Sequence, residues 1–434
     1  MNDNLSRLKD TYLNRPHTFH LLLLVLGVAI IYWSVYQFNF LFGWDDQWFV
    51  TNHYTENGFT WRNLYAIFTE FYYGQYAPVN QLYYTFLYSL FKYNPAYYHI
   101  AGVLIHLANV ILIYFLINKI MPKLADKPEL QIKQTAFLTA LLFAILPINI
   151  EPVAWVAASK VTLYVLFYLI ALTWYCKYLT YVKSAYFYLT LLFFALSFGA
   201  KEQAVLFPVC MFLFDYIYRR KLRDKMVWLE KLPFLILTLL LGIVTVQSQG
   251  FEDETRSFYP FFQRIPLAFY TLSEYFTKCL VPINISYLYP FPFRADEQIS
   301  WYLWIYVFAI PIIVYCFYKQ IKIRLIFFGL FFFFIHIVLV INVFSLARFS
   351  VIADRYAYLA SIGLCFILSY IFISNLYKVK FKIPLFITGV LYVVVLMGYS
   401  ISHLPVWTNA YTLKEKLKTA IEKRQDFDDL KKLK

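Results

Sequence analysis

A chain of 434 residues that is 61% hydrophobic and only 15% charged carries more apolar surface than a water-soluble fold can bury, which excludes an ordinary soluble domain. Its net charge of +14 does not point to nucleic acid, because basic residues cluster in short connections between apolar runs, with the tail from Lys414 to Lys434 a mild exception on the expected outer side. Five cysteines, Cys176, Cys210, Cys279, Cys316 and Cys365, sit in or beside those runs without CxxC spacing, which argues against a disulfide framework or a zinc site.

The apolar runs are about 17–25 residues long, enough to cross a hydrocarbon core of about 30 Å as helix. The first, 19–42, is longer than a signal-peptide core and lacks a small-residue cleavage site, so it is expected as an uncleaved first helix. Further spans are predicted to begin near Ala96, Gln134, Thr162, Ala185, Lys201, Lys231, Ser300, Leu325, Tyr356 and Ile383. Basic groups fall in alternate connections: Lys119, Lys123, Lys127 and Lys133; Lys177 and Lys183; Arg219, Arg220, Lys221 and Arg223; Lys319, Lys322 and Arg324; Lys378, Lys380 and Lys382. The positive-inside rule places these in the cytoplasm, giving about eleven transmembrane helices with the N-terminus inside and the C-terminus outside. Segment 262–281 is expected to be re-entrant or interfacial, because a crossing there would turn Lys319, Lys322 and Arg324 outward. The reading is an all-α polytopic membrane protein: a membrane module over 1–404, with a long first outer loop at 43–95, and a short helical tail over 405–434. In that tail Leu413, Leu417 and Ile421 recur at helical spacing.

Function should reside in polar groups where lipid would normally forbid them. Asp45 and Asp46 follow the first helix in FGWDDQW, and two adjacent carboxylates at a water interface suit a general base with an orienting or cation-holding partner. The bland alternative is a solvated turn. The loop beyond them carries Trp61, Tyr72, Tyr73, Gln75, Tyr76, Asn80 and Tyr98, aromatic and amide groups that suit a groove wall for a sugar or an isoprenoid, although aromatic belts account for any single Tyr.

Three more polar sites fall at outer helix ends: Glu151 with Lys160, Lys201 with Glu202, and Arg348 with Asp354 and Arg355. Unpaired charges at such depths cost about 2.5–3.5 kcal/mol, so these must be paired or bound to something. Read as simple ion pairs they join Lys201 to Glu202 and Asp354 to Arg355. Read as a site, cations hold a leaving phosphate while a carboxylate activates an acceptor. His99 and His106 lie seven apart on one helix face with Asn109 nearby; His106, the deeper, is the candidate for the cavity, against the commoner reading of interhelical contacts.

Seven segments, FGWDDQW, YAPVNQLYY, YYHIAGVLIHLANV, LPINIEPVAWVAASK, FGAKEQAVLFP, ISYLYPF and IADRYAYLASIG, together resemble, in order, the multispanning module of the transmembrane and tetratricopeptide-repeat O-mannosyltransferases, and more closely bacterial relatives within the GT-C glycosyltransferase superfamily. The resemblance implies a GT-C fold, a polyprenyl-phosphate sugar donor with mannose as the leading sugar, and transfer on the extracytoplasmic face of the inner membrane. It makes Asp45 the candidate base beside Asp46, assigns Lys201 and Arg355 to the donor phosphate, and places Glu151, His106 and Tyr356 on family motif positions. A protein Ser or Thr is the favoured acceptor, with a cell-envelope glycan or lipid next. No soluble cofactor is implied, and a divalent metal is left open. The chain departs from its relatives at Leu146, where a His is usual, and at Ser159 and Val161, where an Arg and an Asp are usual; the repeat array is missing after VWTNAYTLKEKLKTAIE. The competing classes are a lipid or glycan transporter, against which stands the lack of an internal repeat pairing the two halves, and a noncatalytic membrane scaffold.

Overall fold

The computed structural model describes residues 16–249, 259–293, 297–343, 350–378 and 382–422. Among these the chain is helical, with one isolated antiparallel bridge between Tyr72 and Gln75 and no strand. Its longer helices, in order, are α1 (Pro16–Tyr32), α2 (Pro78–Phe91), α3 (Pro95–Leu124), α4 (Glu129–Ile145), α5 (Ser159–Tyr181), α6 (Ser184–Ala200), α7 (Phe207–Ile217), α8 (Leu232–Gln249), α9 (Phe261–Leu280), α10 (Leu303–Cys316), α11 (Arg324–Ile337), α12 (Ser361–Lys378), α13 (Lys382–His403) and α14 (Ala410–Glu422).

Among the described residues, six stretches are long and apolar enough to cross a membrane: Pro16–Gln37, Pro95–Leu124, Val156–Tyr181, Lys225–Ser248, Ser361–Lys378 and Lys382–Trp407. A seventh is added if α4 and Pro147–Ala154, bent by 58° at Pro147, count as one. A helix satisfies its own backbone hydrogen bonds, the condition for a segment surrounded by lipid. Other expected spans are shorter: α6, α10 and Arg324–Val340 are apolar but have fewer than 18 residues. The run expected from Lys201 opens with a 3-10 turn, Glu202–Leu206, and α7 starts only at Phe207 with Pro208 in its first turn, where proline's missing N–H is harmless. The run expected from Tyr356 likewise begins at Ser361. The 262–281 segment is one unbroken helix, α9, so it does not double back; Arg264, Glu274 and Lys278 give it a polar face.

The helices pack into one apolar core, with α5 along α6, α4 between α3 and α12, and α11 against α12. The α11–α12 crossing depends on paired glycines: a Cβ on Gly363 would collide with the Gly329 carbonyl oxygen and lie 2.9 Å from the Phe333 amide nitrogen. Neither obstacle can rotate away, and close backbone approach is how small residues join helices in lipid. Gly363→Ala is expected to lower stability by about 1–3 kcal/mol, as for other overpacked cores, read as a lower thermal midpoint in detergent; an unchanged midpoint would mean the crossing is looser than this.

Several buried charges are gathered into one ion-pair cluster. Asp215 and Lys231, both without solvent exposure, contact each other; Tyr175 donates to Asp215 at 2.6 Å, and Arg220 reaches Asp215 at 3.1 Å and Glu230 at 2.5 Å. Arg324 donates to the carbonyls of Lys123, Tyr216 and Ile217, so three of the basic connections meet at one end of the bundle. At α7 the guanidinium caps carbonyls that lack partners within the helix.

The first loop is folded. Asn52 and Thr60 cap the turns that follow them, and Trp61–Thr69 is amphipathic, burying Asn63 and Ile67 while turning Trp61, Tyr65 and Phe68 outward. The tail returns to the same end of the molecule. The Asn39 amide donates to the Thr408 carbonyl at 2.9 Å, Trp407 stacks on Trp155 with ring centres 5.9 Å apart, and Leu413 and Leu417 of α14 are buried. The side chain of Ile421 and all of Arg348, Lys380 and 423–434 lie outside the described residues.

Candidate functional site

A polar cavity of about 260 Å³ opens where four connections meet the ends of α5 and α8. The first loop contributes Asp45, Tyr73, Gln75 and Tyr76; the α4–α5 connection contributes Trp155, and the first turn of α5 Lys160; the α6–α7 connection contributes Lys201 and Glu202; α8 contributes Thr245 and Ser248; and the turn before α12 contributes Arg355 and Tyr356. Nine of the sequence-selected residues therefore share one lining: Asp45, Tyr73, Gln75, Tyr76, Lys160, Lys201, Glu202, Arg355 and Tyr356.

Each cation is held differently. Arg355 lies in the short turn Asp354–Ala357, and Glu151, itself 2% exposed, accepts both the Arg355 backbone amide, at 3.0 Å, and its guanidinium. The guanidinium lies 5.6 Å from the Trp155 ring centre and 5.1 Å from that of Tyr356, so it is oriented by two aromatic faces. Lys201 contacts Glu202 at 3.3 Å and the Tyr356 ring at 5.7 Å. Lys160 donates to Gln75 Oε1 at 2.7 Å and lies 4.8 Å from the Phe49 ring centre. Lys160, Lys201 and Arg355 share the lining with Asp45 and Glu202; Glu151 balances Arg355 from behind and Glu202 pairs with Lys201, so three cations converge on the space without a surplus of charge.

The adjacent aspartates separate into two roles. Asp46 is fully buried, and both its oxygens are taken: Oδ2 by the Leu41 amide at 2.7 Å and Oδ1 by the Ala157 amide at 2.8 Å. Burial pushes its carboxyl up to about 6, against the pull of those two amides. It ties the first loop to the α4–α5 connection and does not line the cavity. Asp45 is half-buried at the start of the turn Asp46–Phe49, and its carboxylate has no hydrogen-bond or ion-pair partner among the described residues. Asp46→Asn puts an NH2 against one of the two amides, and the orphaned donor is expected to lower stability by about 1–3 kcal/mol. Thermal unfolding in detergent checks this, and an unchanged midpoint would contradict the anchoring role.

Neither a scan against models of known protein families nor a search of curated proteins finds a match. The chemistry has to be read from the geometry.

Of the residues selected for the site, Asp46 and Glu151 stand behind the lining, and two more lie away from the cavity. His106 is fully buried, sharing Nδ1 with the Tyr358 hydroxyl at 2.6 Å and approaching the Ala144 carbonyl through Nε2 at 3.3 Å, while Asn109 donates to the Thr162 carbonyl and to Tyr358. These are contacts between helices. Asp354 is also buried and accepts the Tyr289 hydroxyl at 2.7 Å; burial, then the charge of Glu151, pushes its carboxyl well above the carboxylate range. The sequence-adjacent pair Asp354–Arg355 therefore does not form. Arg355 turns to Glu151 instead, because consecutive residues of a tight turn project apart.

Thr245, Ser248 and Trp155 were not singled out from sequence. Thr245 and Ser248 are three apart on α8, hence on one face, but uncharged hydroxyls at the end of an apolar run give no distinctive signal.

Proposed function

We propose that this chain is a membrane glycosyltransferase of the GT-C type that moves a hexose, with mannose the leading candidate, from a polyprenyl-phosphate donor to an acceptor outside the cytoplasm. The observation that carries the reading is the convergence, at one end of an apolar bundle, of the unengaged Asp45 carboxylate with Lys160, Lys201 and Arg355 around a space of about 260 Å³. At about 25–30 Å³ for each heavy atom the space holds roughly nine or ten, enough for the phosphate and part of the hexose ring of a hexosyl phosphate, which has about sixteen.

In this mechanism Asp45 takes the proton of the acceptor hydroxyl as its oxygen bonds to the anomeric carbon. The bond from that carbon to the phosphate oxygen breaks, and its electron pair leaves with polyprenyl phosphate, whose charge Arg355, Lys201 and Lys160 neutralise. A single base opposite the leaving group gives inversion. Asp46 and Glu151 are positioning residues, one for the first loop and one for Arg355.

The membrane arrangement follows from the same reading. If α6, α10, α11 and the run through α7 cross together with the longer helices, there are eleven crossings. The basic connections then lie in the cytoplasm, and the cavity, built from the opposite connections, faces outward. α7 contributes about 16 Å of rise, and the Glu202–Leu206 turn adds about 10 Å. The favoured acceptor is a protein Ser or Thr, followed by an envelope glycan or lipid.

The direct test gives the purified protein radiolabelled polyprenyl-phosphate mannose with cell-envelope extract. Label is expected to pass to the envelope fraction. Failure to transfer any polyprenyl-phosphate hexose, together with failure to bind polyprenyl phosphate, would overturn the proposal.

A further inference from the structure

Beside the main cavity lies a second, smaller pocket of about 50 Å³, sharing Gln75, Ala77 and Lys160 with it as a common wall. Its own lining includes Tyr54, Glu70, Tyr72 and Asn80. Asn80 is 4% exposed, yet its Oδ1 has no hydrogen-bond partner among the described residues. A buried acceptor left open in this way costs about 1–3 kcal/mol unless something donates to it. Glu70 gives one oxygen to the Tyr54 hydroxyl at 2.6 Å, which fixes the carboxylate at the pocket's edge. The pocket thus presents oxygen acceptors to a hydroxyl donor.

Size selects the donor of that hydroxyl. At about 25–30 Å³ for each heavy atom, the pocket of about 50 Å³ admits roughly two, too few for a sugar ring. A hexopyranose carries one exocyclic carbon arm, its hydroxymethyl group, whose two heavy atoms fill that space. We infer that the side pocket is the subsite for the hydroxymethyl arm of the donor hexose: the phosphate and ring sit at the main cavity, the arm displaces the Lys160–Gln75 hydrogen bond that closes the shared wall, and its hydroxyl donates to Asn80 Oδ1. This rests on the glycosyltransferase reading and deepens it. The protein then selects a hexose over a 6-deoxyhexose, which keeps the carbon but lacks the hydroxyl, because the latter leaves Asn80 unpaired.

The test measures equilibrium binding to the purified full-length protein of three ligands: bare polyprenyl phosphate, a polyprenyl-phosphate hexose and the matching 6-deoxyhexose. Wild type is expected to prefer the hexose over the 6-deoxyhexose by about tenfold, the equivalent of one net hydrogen bond. Asn80→Leu should abolish that preference, while Asn80→Asp, which keeps an acceptor oxygen, should retain it. Should Asn80→Leu not fold, Ala77→Val, which narrows the shared wall, is expected to lose the preference as well. Equal affinity of wild type for the two sugars overturns the subsite, as does a preference that survives in both Asn80→Leu and Ala77→Val. Loss of bare polyprenyl-phosphate binding would instead strike the underlying glycosyltransferase reading, so the two failures are distinguishable.

Discussion

Asp45→Asn is expected to reduce sugar transfer by at least about a hundredfold, and up to about ten-thousandfold, without disturbing the fold, because positioned general bases contribute on that scale. The substitution is isosteric, and the Asp45 carboxylate has no hydrogen-bond or ion-pair partner among the described residues, so removing its charge breaks no structural contact. The thermal midpoint should therefore stay near wild type, and polyprenyl-phosphate binding should persist, since the cations that hold the phosphate are untouched. Asp46→Asn should show the opposite profile, with a lowered midpoint, because both oxygens of that residue are engaged by backbone amides. Radiolabel transfer paired with thermal unfolding separates the two variants. Full transfer by Asp45→Asn would remove Asp45 as the base and with it the mechanism proposed for the cavity.

That contrast shows what the sequence could and could not convey. Consecutive aspartates in FGWDDQW have the same composition, charge and depth by hydropathy. What divides them is the Ala157 amide, 111 residues away, which only the folded chain brings to Asp46. The helical, apolar character was legible because a run such as Pro95–Leu124 needs no partner to declare itself. Helix lengths were less so, since a hydropathy window averages across a change of backbone direction. The bend at Pro147 and the turn at Glu202–Leu206 are invisible to it, and the latter brings Glu202 into the cavity lining. Charged lining residues stood out against the apolar background, whereas Thr245 and Ser248 did not. His106 is fully buried, yet burial alone does not distinguish a cavity wall from an interhelical contact, and Tyr358, 252 residues away, decides it.

The same long-range logic governs Arg355, where removal of one side chain has two separable consequences. Arg355→Met should weaken binding of polyprenyl phosphate by about 10- to 100-fold, the range for a lost charge-assisted hydrogen bond. It should also destabilise the protein by about 3–5 kcal/mol, because Glu151, 2% exposed, is left as an uncompensated buried charge. Stability alone cannot distinguish a phosphate ligand from a structural ion pair, so the decisive comparison adds Glu151→Gln to the same chain. The double variant buries no lone charge, and the side-chain oxygen of the introduced glutamine can still accept the backbone amide of residue 355, which Glu151 holds at 3.0 Å. Its midpoint should recover most of the loss while its donor affinity stays low. Recovery of both together would reduce Arg355 to half of a structural ion pair and leave Lys160 and Lys201 to carry the phosphate. Recovery of stability alone would tie the Arg355 charge to the donor, with Glu151 acting to aim it.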